Sequence, residues 1–512
     1  MGRTWIPSAA RCNKILALGA IRASRAIRVA HAIHPAHAMR ATRAIPVVDA
    51  NQKGVGVEDY RRIADRLAEE IYSGRLKAGE RLPPQRVFAR RRHIAGSTAG
   101  RVYGELVRRG LVVGEVGRGT YVRASPVPSG RALTEAANES PDGAANRAPA
   151  GPASAVSVDL EFNHPSVEGQ SELLAAGLAP LLRSDALGEA TRTLPATGTA
   201  AAREAAAGLL AGSGWRPRPD QLLFAGNGRQ AIAGLLASLV RPGGRVGVEA
   251  LTYPLVKDIA ARIGCALVPL ATDEEGLRPD AVAAAHRAAP LSALYVQPTL
   301  HNPTSTTAGD ARKRELAAVV RDADVPVVED RVWSFLHEGG VPFAAYAPER
   351  VHVVDGLSKR VAPGLTVGFL VVPEGRVGAV AGALRSGGWT AGRFALEAGT
   401  RWIRDGTVQR LVGRKRADAA RRQRVVAELL DAFTVRADPY AYHAWWELPA
   451  PWRADTFTAA AAARGIAVMP GPAFSVGPGG APDAVRLGLA SVPVPVLGQA
   501  LRTLRDVAHG GP

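Results

Sequence analysis

The sequence predicts two folded units of different class: a small basic module of three helices and a hairpin, followed by a large α/β domain with a mostly parallel sheet. Three observations predict this. Apolar residues recur at helical spacing from Tyr60 onward and give way to two short strands before residue 123. From about Val158, short β-branched runs alternate with alanine-rich helical stretches. The excess positive charge is confined to the first quarter of the chain.

The bounds set by composition agree with that division. The chain has 512 residues, which at roughly 150 residues per domain corresponds to about three structural units. Hydrophobic residues at 47% and charged residues at 21% exclude a wholly disordered protein. No apolar run approaches the ~18 residues that span a bilayer, so no membrane association is expected. Cys12 and Cys265 are too few for a disulfide framework or a cysteine zinc site, and no metal is expected. A reducing, cytoplasmic setting is therefore expected. Of the net charge of +18, residues 1–50 carry +7 and residues 51–125 carry +8, leaving +3 for residues 126–512.

The elements follow in order. Residues 1–50 are rich in Ala, Arg, Ile and His and nearly free of acids, and are expected to form a basic tail without a stable fold. A transit peptide and a DNA-gripping arm are the alternatives there. Tyr60, Ile63, Leu67, Ile71 and Tyr72 then share one helical face. Pro84 is placed to open a second helix, and Ser97 or Thr98 to cap a third that runs through Val102, Leu106 and Val107 to Gly110. Leu111–Val113 and Thr120–Val122 predict strands around a glycine-rich basic tip. Three helices and a hairpin make a winged helix-turn-helix. Double-stranded DNA is the expected partner, because Ser97, Thr98 and Arg101 head the third helix while Arg86, Arg118 and Gly119 flank it. A merely solvated basic surface is the other reading of the charges.

Residues 57–123 resemble a GntR-type winged helix through Tyr60, the stretch Gly74–Arg86, Tyr103–Leu106 and Arg118–Val122. Where that family usually carries Ser-Arg ahead of the recognition-helix threonine, this chain has Ala95-Gly96. The predicted organisation is a tail over 1–50, a DNA-binding domain over 55–124, a linker of Pro, Ala, Ser, Gly and Asn over 125–156, and a large domain over 157–512. A smaller α+β subdomain is expected to occupy roughly 405–512.

Four loop motifs mark the large domain. Phe224–Gln230 is a glycine-rich turn into a helix, whose free amides suit a phosphate. Gln297–Thr304 sets Asn302 in a proline-braced loop, Val327–Asp330 ends a strand in a carboxylate, and Leu357–Lys359 ends another in a lysine. Together and in this order they resemble fold-type I pyridoxal-phosphate enzymes, the class I/II aminotransferases, over about 160–510. The resemblance implies pyridoxal 5'-phosphate as cofactor and Lys359 as the catalytic lysine that forms its imine. It also implies Asp330 facing the pyridine nitrogen, Asn302 on the ring hydroxyl, Tyr253 stacked on the ring, and Gly228, Arg229 and Ser358 on the phosphate. Arg486 matches the arginine that takes an amino acid carboxylate. A surface ion pair is the ordinary reading of that arginine.

Three positions depart from the pattern. Thr366 replaces an arginine seven residues after the lysine, for which Arg360 is the available substitute. Trp333 replaces a tyrosine, and Ser305 replaces the glycine of Asn-Pro-Thr-Gly. A GntR-like head, a linker and an aminotransferase-like domain form the layout of the MocR subfamily. That layout implies a homodimeric transcriptional regulator that senses pyridoxal phosphate, or a small amine or amino acid, as an imine. Two alternatives remain open: a working aminotransferase with a DNA-binding head, and a cofactor-free dimeric DNA-binding protein. The Lys359, Asp330, Asn302 and Arg486 set favours turnover, while Thr366 and Trp333 weigh against it.

Overall fold

The computed structural model describes residues 60–122 except 73–74, 78, 109–110 and 116–118, and residues 157–511 except 213 and 478–481. The tail over 1–50, the linker over 125–156 and Arg118 lie outside the described residues.

In the head, helices α1 (Tyr60–Tyr72), α2 (Gln85–Arg91) and α3 (Gly96–Arg108) close around Ile63, Leu67, Phe88, Val102 and Leu106, all nearly fully buried. Phe88 meets Tyr103 edge to face at 5.3 Å, and the Tyr103 hydroxyl donates to the Pro83 carbonyl at 2.5 Å. The hairpin of β2 (Val112–Glu115) and β3 (Gly119–Val122) is antiparallel, and it gains a strand that the sequence does not announce, β1 (Arg81–Leu82). Two expected helix starts shift. Helix α2 begins at Gln85, with Pro84 in the capping position rather than inside the first turn. Helix α3 begins at Gly96, and the Ala99 N–H donates to the Ala95 carbonyl, so neither Ser97 nor Thr98 is the cap. The cause is the turn at His93, whose φ of 52° starts the helix early and leaves both hydroxyl residues in its first turn.

The body opens with β4 (Val158–Asp159), which does not enter the main sheet but pairs in parallel with β16 (Ile466–Ala467) of the C-terminal subdomain. The main sheet contains β5 (Leu222–Ala225), β6 (Arg245–Glu249) and β7 (Ala266–Leu270), and, after the small hairpin of β8 (Thr272–Asp273) and β9 (Gly276–Leu277), β10 (Ala293–Val296), β11 (Val327–Asp330), β12 (Val351–Gly356) and β13 (Gly368–Val371). Its order is β5-β13-β12-β11-β10-β6-β7, with β13 antiparallel to both neighbours and the other pairings parallel. The β-branched and aliphatic runs are buried throughout β5 and β10–β13 because helices cover both faces, as a parallel sheet requires, while the edge strand β7 is partly exposed. The smaller subdomain has β14 (Val435–Ala437), β15 (His443–Glu447), β17 (Met469–Pro470) and β18 (Ala484–Gly488) in the order β14-β15-β18-β17. Its core includes Leu160 from the start of the body, so the subdomain reaches beyond the expected 405–512.

One edge of the main sheet gathers the chemistry. The C-terminal ends of β5, β6, β10, β11 and β12 lead to Gly228, Tyr253, Gln297, Asp330 and Lys359 respectively. Ligands in open α/β sheets bind at such an edge, where strand ends leave loops free. Antiparallel β13 starts at the same edge, with Gly368 opposite Gly356. A Cβ on Gly368 would lie 2.5 Å from the Asn227 carbonyl oxygen and 3.2 Å from the Gly228 nitrogen, both backbone atoms. Gly368→Ala is therefore expected to push the Asn227–Gly228 turn outward and to cost about 1–3 kcal/mol. Denaturant unfolding checks this, and an unchanged midpoint contradicts it.

Candidate cofactor site and nucleic-acid interface

Asp330 is a buried carboxylate held by three donors. It is 4% exposed, and its Oδ2 accepts from the Tyr295 hydroxyl at 2.6 Å and the Gln297 amide at 3.1 Å, while Oδ1 accepts from the Val332 N–H at 3.0 Å. Burial pushes its pKa up, and those three donors pull against that rise. A carboxylate offers about four acceptor sites, so one more donor can be met. A protonated pyridine nitrogen supplies such a donor, with the charge that relieves a buried anion.

Gln297 ties Asp330 to its neighbours. Its side-chain oxygen accepts from the Asn302 N–H at 3.2 Å, and its own backbone N–H donates to Glu249 Oε1 at 3.0 Å. Asn302 is buried with no partner for its Oδ1. Ser305 adopts φ 59°, the left-handed conformation a glycine normally supplies, and its hydroxyl donates to the His443 carbonyl at 3.2 Å. The Asn-Pro-Thr-Ser departure thus keeps the loop shape.

Lys359 stands on the loop after β12. Its ammonium donates to the Asn163 carbonyl at 2.8 Å and lies 5.3 Å from the centre of the Trp333 ring. Trp333 therefore supplies a face rather than a hydroxyl. Beneath the loop lies Lys415, fully buried, whose amine donates to the carbonyls of Lys359 at 2.9 Å and Val361 at 2.8 Å. The helix Gly228–Leu239 begins at the same edge; Asn227 caps it by accepting from the Gln230 N–H at 2.9 Å, leaving Gly228 and Arg229 on its first turn. Tyr253 occupies the capping position of the helix Pro254–Ile263, and Ser358 adjoins Lys359.

Arg486 is no surface ion pair. It lies on β18, 6% exposed, donates to the Glu161 carbonyl, sits 5.6 Å from the centre of the Phe474 ring, and has no partner for Nε. Burial lowers its pKa to about 10, so it stays cationic at neutral pH. Arg360, the substitute for the missing phosphate arginine, is committed elsewhere: it forms a buried ion pair with Asp355 and donates to the Gly356 carbonyl at 3.2 Å. The buried Asp355 carboxylate demands that partner. Thr366 keeps a buried hydroxyl with no partner.

These residues fit pyridoxal phosphate at one sheet edge. Asp330 would hold the ring nitrogen, Asn302 the ring oxygen, Lys359 the aldehyde carbon, and the first turn at Gly228 and Arg229 the phosphate, without an arginine at 366. Asn163, Gln297, Tyr295 and Lys415 carry no sequence signature for these contacts. Gln297 alone falls inside a recognised motif.

In the head, Arg86, Ser97 and Arg101 are exposed and Thr98 is half-buried, so the first turns of α3 present two polar groups and a cation to solvent. Gly119 has φ 128°, and a Cβ there would lie 2.6 Å from Arg81 Nε, so its role is to let the wing strand pass that guanidinium.

Lys415 generates a pH prediction. Burial, with Lys359 beside it, lowers its pKa from 10.5 to about 7. Between those values the unfolded chain holds a proton that the folded chain has released, so this group makes stability rise with pH, by at most ~1.4 kcal/mol per unit. Thermal unfolding at about pH 7, 8 and 9, from the shifted value upward, is expected to show a shallower rise for Lys415→Met than for the wild type. Parallel slopes contradict it.

The comparisons with known proteins agree with this geometry. Residues 156–504 match the family "Aminotransferase class I and II", and residues 59–122 match "Bacterial regulatory proteins, gntR family". The uncharacterized HTH-type transcriptional regulator YdeF of Bacillus subtilis is 27% identical over 473 residues, covering 91% of this chain and 94% of that protein. The HTH-type pyridoxine biosynthesis transcriptional regulator PdxR of Corynebacterium glutamicum is 27% identical over 217 residues, covering 41% of this chain and 46% of PdxR. The Pyrococcus horikoshii kynurenine aminotransferase structure superposes with a TM-score of 0.64 at 20% identity, covering 69% of this chain and 91% of the enzyme. An archaeal alanine:glyoxylate aminotransferase gives 0.63 at 19%, with the same shares. These structures share the fold. The chain belongs to the aminotransferase class I and II family, and the gntR-family head in front of that domain gives it the two-part build of MocR-type regulators.

Proposed function

We propose that this protein is a DNA-binding transcriptional regulator whose aminotransferase-like body holds pyridoxal phosphate through Lys359 and responds to a small amine or amino acid. The observation that carries the reading is a pair of contacts onto one short segment. Lys359 donates to the Asn163 carbonyl and Arg486 to the Glu161 carbonyl. That segment is the first described stretch after residues 125–156, which join body to head. A Lys359 amine engaged by the cofactor aldehyde gives up its proton donation to Asn163. An amino acid carboxylate competes with the Glu161 carbonyl for Arg486. Either event loosens the start of the body, and this supplies the differential contact that coupling between two sites requires.

The lack of an arginine at 366, with Arg360 bound to Asp355, favours sensing over rapid turnover. Pyridoxal phosphate, when bound, supplies an electron sink and an aldehyde. The chain's own residues hold it and fix its protonation through Asp330. A two-fold homodimer acting on repeated half-sites in the bacterial cytoplasm completes the reading.

The visible absorption spectrum tests it. The purified protein with added pyridoxal phosphate is expected to show a lysine-bound cofactor band that Lys359→Ala lacks, and the amine that shifts the band is expected to shift DNA affinity as well. No band in the wild type makes the body a cofactor-free scaffold. Sustained amino transfer to a keto acid, with DNA affinity unmoved, makes it an enzyme.

For the head, Arg101→Ala is expected to weaken binding to a genomic fragment selected by the full chain by about 1–3 kcal/mol. Mobility-shift titrations at several salt concentrations separate the cases. A slope reduced by about one marks a phosphate contact, and an unchanged slope with relaxed sequence preference marks a base contact. Unchanged affinity removes Arg101 from the interface.

A further inference from the structure

A second cavity lies outside the Lys359 site, between the main sheet and the small subdomain. It has a volume of about 210 Å³ and is lined by Glu249, Leu251, Leu277, Val296, His301 and Trp445, among others, but not by Lys359, Asp330, Tyr253 or Arg486. Its walls are largely apolar, and three carboxylates reach it. Two are already paired: Asp273 takes a two-pronged contact from Arg312 at 2.9 Å on each arm, and Glu447 takes Arg436 at 3.0 Å. The third is Glu249, 3% exposed, whose Oε1 accepts the Gln297 N–H while Oε2 has no partner. His301, a second lining residue, has no partner for its Nε2.

A buried carboxylate oxygen without a donor is costly, and one on a residue that lines a cavity marks where a ligand donor is called for. Burial raises the Glu249 pKa to about 7 and lowers that of His301 to about 4. Near neutral pH the carboxyl is thus poised to ionise beside a cation, and the imidazole is neutral, presenting a lone pair or an N–H as its tautomer dictates. The indole of Trp445 supplies a face that attracts organic cations. A dry engineered cavity of ~150 Å³ admits benzene, so this volume suits a molecule somewhat larger than that.

We propose that this cavity is a second ligand site, distinct from the cofactor pocket, for a small organic ammonium ion with an apolar body whose N–H is donated to Glu249 Oε2. Glu249 and Asp330 are bridged by a single residue, since the Gln297 backbone N–H serves the first and its side-chain amide the second. Occupancy of the cavity therefore reaches the cofactor's carboxylate through one side chain.

The test uses N,N-dimethylbenzylamine, a tertiary amine that keeps a single N–H when protonated and cannot condense with an aldehyde. Calorimetric titration into the full chain saturated with pyridoxal phosphate, and into the chain without it, is expected to show saturable binding in both. Glu249→Gln removes the anion, and Ala308→Leu, at a buried lining residue, fills the cavity while leaving the carboxylate in place. Each variant is expected to lose affinity at least ~tenfold with its melting midpoint retained. If Glu249→Gln fails to fold, Ala308→Leu decides alone. Equal affinity in the wild type and a folded variant overturns the proposal, as does a wild type showing no saturable binding up to ~10 mM ligand. Binding that survives without pyridoxal phosphate separates this site from the cofactor reading, which stands or falls on its own spectrum.

Discussion

A carboxylate buried at the end of a parallel strand must be met by donors, and the body of this protein is arranged around meeting that demand at Asp330. Tyr295 and Gln297, in and just after the adjacent strand β10, reach it because parallel register brings Val296 beside Glu329. Gln297 then has an oxygen and a backbone N–H left over, and these fix Asn302 on one side and Glu249 on the other. Asp330, Asn302 and Glu249 are thus held by one hydrogen-bonded chain through Gln297. Moving any member would strand a buried polar group, so the geometry persists without help from a ligand.

The same accounting explains the departures from the family pattern. Arg360 is not available for a phosphate because Asp355, wholly buried on β12, requires a cation, and Arg360 lies five residues along the same turn. With Thr366 in place of an arginine, the phosphate end would rely on helix amides at Gly228 and Arg229, whose approach to β13 depends on Gly368 having no side chain. A weaker electrostatic clamp suits reversible occupancy better than permanent retention, because a cofactor that leaves can also report its own concentration.

Much of this was legible in the sequence, for a physical reason. Buried parallel strands demand β-branched and aliphatic runs, and each such run must give way to a loop at its end, so Asp330, Lys359 and the Gly226–Gly228 turn announce themselves by position. Helix-capping chemistry was less reliable: Ser97 and Thr98 look like caps, but the turn at His93 starts α3 before them. Contacts spanning hundreds of residues were not legible at all. Asn163 meets Lys359 across 196 residues, and β4 pairs with β16 across some 300, with no local pattern to betray either. Lys415 was hidden for a different reason. It sits in the helix Thr407–Leu429, whose run of basic residues suggests a solvated face, yet its side chain turns inward under the Lys359 loop.

In the proposed reading, those long-range contacts are the route by which a small ligand at Lys359 would reach the start of the body. Local chemistry at Lys359 would have no outlet if its partners all belonged to its own sheet edge. Its acceptor instead belongs to the segment 158–164, which Arg486 also holds through Glu161 and which Ala490 fastens by donating its N–H to Asn163 Oδ1 at 3.1 Å. The segment is also tied by backbone N–H donation from Val158 to Gly465, from Leu160 to Ala467 and from Gly488 to Leu160, by the His164 N–H to the Ser491 hydroxyl at 3.0 Å, and by Leu160 buried in the subdomain core. Lys359 and Arg486 therefore share this stretch with a short backbone ladder and the buried Leu160, and each hydrogen bond among them contributes about 1 kcal/mol net. Typical coupling energies between sites are ~1–3 kcal/mol. In the proposed reading, exchanging one or two such contacts would be enough to supply them, without a large rearrangement of the body.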